Sequence, residues 1–433
     1  MITISQLYDI FIKNPVVTTD SRKITHGCLF FALKGFNFNG NSFAHSAISQ
    51  GASYAIVDEP QSPGNDKFIL VDNVLTTLQH LATMHRNNLG IPIVAITGSN
   101  GKTTTKELTA SVLKQKFKVD FTQGNLNNHI GVPLTLLTFT SNTEIGVVEM
   151  GANHPGEIEF LCNIVQPDFG LITNVGKAHL EGFGSFEGVI QTKSEMYRYL
   201  ENTSGTIFIN GENRYLTDVA GNKLKKITYG KQEGSWLKGE IIGSSPLLNI
   251  RVWFPSGILY FNTGIIGNYN FENVLAAAAI GKYFGVDPLL IKKGIEEYVP
   301  ANNRSQFIKA GTNKIIMDAY NANPTSMKAA ISNFFAIDSP YKIAILGDML
   351  ELGEYSASEH QQIIDLLCDE TQVKVIIVGD EFCKAQAPAH FLKFKNAGEV
   401  SAFLSHNIVN NTLILIKGSR GIGLEKILDI IIN

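Results

Sequence analysis

Apolar and polar positions along this chain follow two periods, and most of the short apolar runs stop at glycine, asparagine or aspartate. Ile93-Val94-Ala95-Ile96 is a β-branched run that ends at Thr97-Gly98, and an amphipathic helical pattern opens at Lys102. Before it, Leu29-Phe30-Phe31-Ala32-Leu33 and Tyr54-Ala55-Ile56-Val57 predict short buried strands with a helix between them. A further helix over 76–88 ends at Leu89-Gly90-Ile91-Pro92, which predicts a stop and a domain junction. After the phosphate-loop-like turn, strand patterns at 145–150, 170–174 and 206–210 alternate with helical ones. That rhythm predicts a mostly parallel sheet covered on both faces. The stretch 247–261 alternates like antiparallel strands, and an alanine-rich helix follows over 273–284. Four more apolar runs, at 314–318, 342–348, 373–380 and 412–418, each end in a polar or glycine turn. They predict a doubly wound sheet with its functional loops at the strands' carboxyl ends. The class is α/β, with three domains at 1–89, 90–300 and 301–433.

Composition narrows the function by exclusion. The 36 basic and 39 acidic residues give a net charge of −3, which leaves no electrostatic footprint for nucleic acid. Cys28, Cys162, Cys368 and Cys383 are scattered without metal-ligand spacing, as expected of free thiols in a reducing compartment. Met1-Ile2-Thr3-Ile4-Ser5 lacks a basic region followed by an apolar core, so no secretory signal is expected. No segment carries the ~18 uninterrupted apolar residues of a membrane span, and a cytoplasmic location is expected.

The chemistry concentrates at Gly98-Ser99-Asn100-Gly101-Lys102-Thr103-Thr104. A glycine-bounded turn between a strand and a helix aims free N–H groups and a helix N-terminus at a phosphate. Lys102 can reach the β- and γ-phosphates of ATP, and Thr103 can offer its hydroxyl to Mg²⁺. The usual P-loop glycine six residues before the lysine is replaced here by Ile96. Glu149 closes an apolar strand, where a carboxylate facing the loop can hold Mg²⁺ as a hard oxygen ligand.

The short Thr97-Gly98-Ser99-Asn100-Gly101-Lys102-Thr103-Thr104 form resembles the nucleotide loop of the Mur ligases, ATP-dependent enzymes that join amino acids or peptides to a carboxylate. Further segments resemble the same family in the same order. Gly124-Asn125-Leu126-Asn127-Asn128 through Pro133 suggests a stretch lining the cleft where the UDP-sugar peptide meets ATP, with Asn125 and Asn128 as substrate contacts. Glu149-Met150-Gly151 looks like the family's metal-binding segment, and His179 in Thr173-Asn174 through Leu180 stands where the family has a magnesium ligand or acyl-phosphate contact. Asn270 and Asn273 match a motif near the nucleotide, and Arg304 matches an arginine that reaches the γ-phosphate.

The resemblance also implies a central P-loop-type ATP domain, a Rossmann-like C-terminal domain and an N-terminal domain that holds the UDP end. For that last task it offers Ser21, Arg22 and Lys34, although Asn39-Gly40-Asn41 departs from the expected Asp-Gly-His. Asp318-Ala319-Tyr320-Asn321-Ala322-Asn323-Pro324 is the form associated with the branch that adds D-alanyl-D-alanine to UDP-N-acetylmuramoyl-tripeptide in peptidoglycan precursor synthesis. Leu346-Gly347-Asp348-Met349-Leu350-Glu351-Leu352-Gly353 and Lys417-Gly418-Ser419-Arg420-Gly421 agree with that branch. Asp318 would then serve ATP, and Tyr320, Asn321 and Asn323 the peptide substrates. By pattern alone Lys193 is a lysine on a solvated helix face, whereas the resemblance implies a carbamylated lysine that holds the second of two Mg²⁺ ions. The rival expectations are a sibling ligase with another amino substrate and a nucleotide-binding relative without catalysis. A monomer is expected.

Overall fold

The computed structural model describes residues 2–61, 65–244, 246–368, 370, 372–407 and 409–432. Among them the strands form three α/β sheets and one small hairpin, Lys34–Gly35 against Phe38–Asn39. Val17–Thr18, Leu29–Phe31, Tyr54–Val57 and Phe68–Leu70 pair in parallel in that order. The central sheet has nine strands, in spatial order Gly257–Ile266, Leu247–Phe254, Leu237–Ser244, Lys225–Gly230, Thr206–Asn210, Phe169–Ile172, Ile93–Thr97, Ile145–Glu149 and Val119–Phe121. Its last seven strands are parallel, and the first two are antiparallel. The third sheet has the order Gln306–Ala310, Asn313–Asp318, Thr412–Lys417, Tyr341–Gly347, Val373–Val378 and Leu392–Phe394, antiparallel only at its first pair.

The fully apolar runs became the inner strands. Ile93–Thr97 and Thr412–Lys417 are buried at every position, as strands covered by helices on both faces must be. The alternating stretch 247–261 splits into two antiparallel strands around the turn at Pro255-Ser256, with the second running on to Ile266. The helix expected over 76–88 spans Val74–Leu89, because Asn73 accepts the Thr76 N–H at 2.8 Å and Gly90 ends the helix at φ 62°. Val119–Phe121, Gln306–Ala310 and Leu392–Phe394 lie at sheet edges and are too short or too polar to announce themselves by pattern.

One apolar core joins the first sheet to the central one. Leu7, Leu29, Ile56 and Leu78 pack in a continuous cluster with Ile93, Val148, Met150 and Ile158. Each such fully buried aliphatic side chain contributes about 1.5–3 kcal/mol. Arg86 reinforces the join from the helix Val74–Leu89, donating to the carbonyls of Val165 and Gln166 and pairing with Asp168 at 2.9 Å. A second apolar cluster joins the central and third parts, with Leu180, Phe183, Val189 and Ile266 packed with Ala322, Met327 and Leu352, and beside it the two parts open into a cleft.

Candidate active site

The strand Ile93–Thr97 runs into a loop whose shape depends on two glycines. Gly98 has φ 139°, and a Cβ there would sit 2.0 Å from Thr173 Oγ1. Gly101 has φ 78°, and a Cβ there would sit 2.6 Å from Asn273 Oδ1. The loop is pinned by its neighbours: Ser99 N–H donates to Asn174 O at 3.0 Å, Asn100 N–H to Asn174 Oδ1 at 3.0 Å, and Thr173 Oγ1 to Asn100 O at 2.6 Å. The helix Lys102–Leu113 starts from Gly101 with no side-chain cap, so the first-turn N–H groups stay open to a ligand. Lys102 folds over the loop, its Nζ donating to Gly98 O at 2.7 Å. Desolvation lowers its pKa; Glu149 opposes that shift and Arg304 adds to it. Asn273 accepts from Thr105 Oγ1 and donates to Asn270 Oδ1, which ties the alanine-rich helix Phe271–Tyr283 to the loop.

Behind the loop lie charges that the protein itself does not satisfy. Glu149 is 1% exposed; Asn127 Nδ2 donates to its Oε1 at 2.7 Å, and its Oε2 has no hydrogen-bond partner. Lys106 Nζ stands 4.0 Å from that oxygen, fully buried and also without a hydrogen bond. Burial pushes the Lys106 pKa down, against the pull of Glu149 and Glu107. Lys193 ends the helix Phe186–Lys193 and is 1% exposed, with Nζ donating to Ala152 O at 3.2 Å and lying 5.1 Å from the Phe183 ring centre. The solvated face expected from pattern is therefore corrected. Desolvation, followed by repulsion from Lys102, holds the Lys193 pKa well below the usual lysine range.

The third sheet supplies the opposite wall. Asn302, Asn303 and Ser305 all have φ between 47° and 59°, a kinked connection that holds Arg304 with its guanidinium carbon 3.6 Å from the Tyr320 ring centre. Asp318, at the carboxyl end of its strand, accepts from Ser305 N–H at 3.0 Å and from Lys417 Nζ at 2.6 Å. Asn323 caps the helix Pro324–Ala336 and donates through Nδ2 to Asn100 Oδ1 at 2.8 Å. The two walls enclose a cleft of about 810 Å³.

Three family models match in order along the chain: the catalytic domain of the Mur ligase family over residues 15–94, the Mur ligase middle domain over 96–281, and the glutamate ligase domain of the Mur ligases over 303–420. The UDP-N-acetylmuramoyl-tripeptide–D-alanyl-D-alanine ligase of Bacillus subtilis is 36% identical over 428 residues, covering 96% of this chain and 93% of the relative. The chain belongs to the Mur ligase family. The corresponding ligase of Escherichia coli is 33% identical, with 98% of this chain and 97% of the relative covered. Among solved structures, a MurF from Acinetobacter baumannii superposes with a TM-score of 0.87 at 30% identity, covering 96% of this chain and 93% of that one. The MurF ligase of Thermotoga maritima, solved in complex with ADP, gives 0.85 at 26% identity with 97% of each chain covered.

In this Mur ligase most residues singled out by sequence line the one cleft: Ser99, Asn100, Gly101, Lys102, Thr103, Thr104, Asn125, Asn128, Glu149, His179, Asn270, Asn273, Arg304, Asp318, Tyr320, Asn321 and Asn323. Gly98 lies beneath the loop, and Lys193 sits behind the wall on the carbonyl of the lining residue Ala152. Ser21, Arg22 and Lys34 are not among the cleft's lining residues. Arg22 is exposed and pairs with Asp20, holding the Asp20 carboxyl down at about 2, while Lys34 pairs with Asp58 and Glu59 at 2.9 Å each. The unexpected Asn39 and Asn41 belong to that same cluster, donating to Glu59 and Asp58. Sequence reasoning did not find Lys106, Phe160 or Lys417 as cleft neighbours. It quoted Glu351 only as part of a motif, and Glu351 accepts from His179 Nδ1 across the cleft.

Proposed function

We propose that this Mur ligase adds D-alanyl-D-alanine to the terminal carboxyl group of UDP-N-acetylmuramoyl-tripeptide, with cleavage of ATP to ADP and phosphate. The observation that carries the reading is the single cleft with a phosphate loop on one wall and the Asp318–Asn323 segment on the other. The peptide carboxylate attacks the γ-phosphorus and displaces ADP, which leaves an acyl-phosphate. The dipeptide amine then attacks the acyl carbon, phosphate leaves, and the ammonium proton is lost to give the amide. A carboxylate is too poor an acyl donor for the amine without that activation.

The chain's own part is placement and charge. Residues 98–104 cradle the ATP phosphates, with Lys102 on one side of the transferring group and Arg304 on the other. Asn270, Asn273 and Asp318 lie at the nucleotide, in keeping with the ADP held by the Thermotoga relative. Asn125, Asn128, Tyr320, Asn321 and Asn323 surround the space left for the peptides, and Ser21, Arg22 and Lys34 serve the distant UDP end. The domains proposed to carry these tasks are 1–89, 90–300 and 301–433.

The Glu149 oxygen without a partner and the buried Thr103 hydroxyl fit a hard divalent cation, with His179 and Lys193 beside a second. Mg²⁺ is an ion that keeps waters and substrate phosphates in its shell, so few protein ligands are needed to hold it. Magnesium bound there neutralises charge on the phosphate oxygens. The environment of Lys193 supports the carbamate reading: burial and repulsion from Lys102 favour the neutral amine, the form that adds to CO₂ with release of one proton to leave an anionic carbamate. The reading includes a cytoplasmic location and a monomer; no described helix is long and apolar enough to cross a membrane. ADP release measured with UDP-N-acetylmuramoyl peptides tests the reading: turnover requires the tripeptide and D-alanyl-D-alanine together. Equal turnover with a single amino acid in place of the dipeptide overturns it.

A further inference from the structure

The motif Leu346–Gly353 is not used by the mechanism above, although its loop enters the cleft. Its backbone is fixed from three sides. Asp348 accepts the N–H groups of Glu381 and Phe382 at 2.9 and 2.8 Å, His360 Nε2 accepts Met349 N–H at 3.0 Å, and Ser419 Oγ accepts Leu350 N–H at 3.0 Å. His360 Nδ1 donates to Ser356 O at 2.7 Å, which leaves Nε2 as the acceptor toward the loop. On this support Glu351 takes φ 62°, a left-handed conformation unusual for glutamate, and reaches across to the central domain. There its carboxylate accepts a hydrogen bond from Nδ1 of His179, which is itself left-handed at φ 52°. The backbone follows the side chain: Glu181 N–H donates to Glu351 O at 3.3 Å, and Tyr355 OH to Gly184 O at 3.4 Å.

We propose that Glu351 is a positioning residue that acts through His179 across the contact between the third domain and the second. A carboxylate on Nδ1 keeps the N–H on that nitrogen and turns Nε2 toward the cleft, the orientation needed to meet a cation. His179, 24% exposed at the start of the short helix Leu180–Phe183, has no other side-chain hydrogen-bond partner among the described residues to choose its tautomer. The second carboxylate crossing the same interface does a different task. Glu359 is buried and pairs with Lys177 at 2.5 Å, which fastens the domains without touching the imidazole. The motif therefore couples the contact between the two domains to the orientation of one side chain. Its kinetic readout rests on the ligase reading above.

The experiment is a double-mutant cycle on the full-length chain, read by amide formation and by nitrogen-15 spectra of histidine-labelled protein in the presence of ADP. Glu351→Ala is expected to lower kcat by about tenfold or more, with KM for ATP nearly unchanged and partial rescue in Glu351→Gln, which keeps an acceptor. On a His179→Ala background the same substitution is expected to do nothing further. The His179 signal is expected to lose its Nδ1–H character in Glu351→Ala while the melting temperature holds. Equal losses on both backgrounds, or an unchanged kcat, overturns the proposal. If the wild-type chain forms no amide, the ligase reading fails and the spectra decide Glu351 alone. A His179 tautomer that is the same with and without Glu351 overturns it there too.

Discussion

The phosphate-loop cleft and the charged cluster of the first domain both carry lysines and carboxylates, yet they treat charge in opposite ways. In the first domain Arg22 lies against Asp20, and Lys34 against Asp58 and Glu59, on a surface open to water. At and behind the cleft wall Lys106 Nζ and Glu149 Oε2 are buried without hydrogen bonds, and Lys193 has a single backbone carbonyl. Exposed pairs are screened and can rearrange when a ligand arrives. Buried groups left short of partners are maintained only because the fold holds them, and a ligand that completes them gains what the protein forgoes. The first region can recruit a substrate, whereas the second can act on one.

Substitutions should separate the two regions by size of effect. Lys102→Ala should lower ATP turnover by about a hundredfold or more with little change in melting temperature, since the side chain stabilises charge rather than packing. Near-normal turnover in a folded variant would remove the loop from catalysis. Lys193→Met should be almost inactive yet melt higher than wild type in CO₂-free buffer, because a buried amine with a single backbone partner, whose protonation burial opposes, is replaced by an apolar chain of similar shape. The sign with pH follows from the depressed pKa. Between the folded value and the ordinary 10.5 the unfolded chain binds more protons, so wild-type stability rises with pH and the gap to Lys193→Met should close toward 10.5. Formate should restore part of the activity of Lys193→Ala, and a gap that widens with pH would contradict the burial argument.

Asn323→Ala should act on both fold and site. It removes a helix cap worth about 1 kcal/mol and the hydrogen bond to Asn100 that crosses the cleft. The expected reading is a modest drop in melting temperature together with a less compact particle in small-angle scattering with ATP analogue and peptide bound. The smallest effect belongs to Lys34→Ala, where KM for the UDP-peptide should rise severalfold at low salt and return toward normal at high salt, with kcat unchanged. A kcat defect there would erase the contrast between the two regions.

Much of this was legible in the chain, and what was not had a physical reason. Ile93–Thr97 and Thr412–Lys417 showed as apolar runs because both of their faces are covered. Gly98, Gly101 and Lys102 showed because a phosphate loop is a local structure made by adjacent residues. The solvated reading of Lys193 failed because its burial comes from Phe183 and Ala152, not from its own helix. Glu351 could not be given a role because its partner is 172 residues away and meets it only through the packing of two domains. Lys106 lies on a helix where pattern reads a lysine as exposed, yet the strand carrying Glu149 and the ring of Phe121 enclose it.

The central claim is that Lys102 and Arg304 flank a phosphoryl group on its way to the peptide carboxylate. Tripeptide substrate labelled with oxygen-18 in its terminal carboxyl group tests it directly, by mass analysis of the phosphate released during ligation to D-alanyl-D-alanine. An acyl-phosphate route predicts one labelled oxygen in each phosphate formed, because the carboxylate oxygen that attacks phosphorus leaves with it. Unlabelled phosphate alongside amide product would contradict the account.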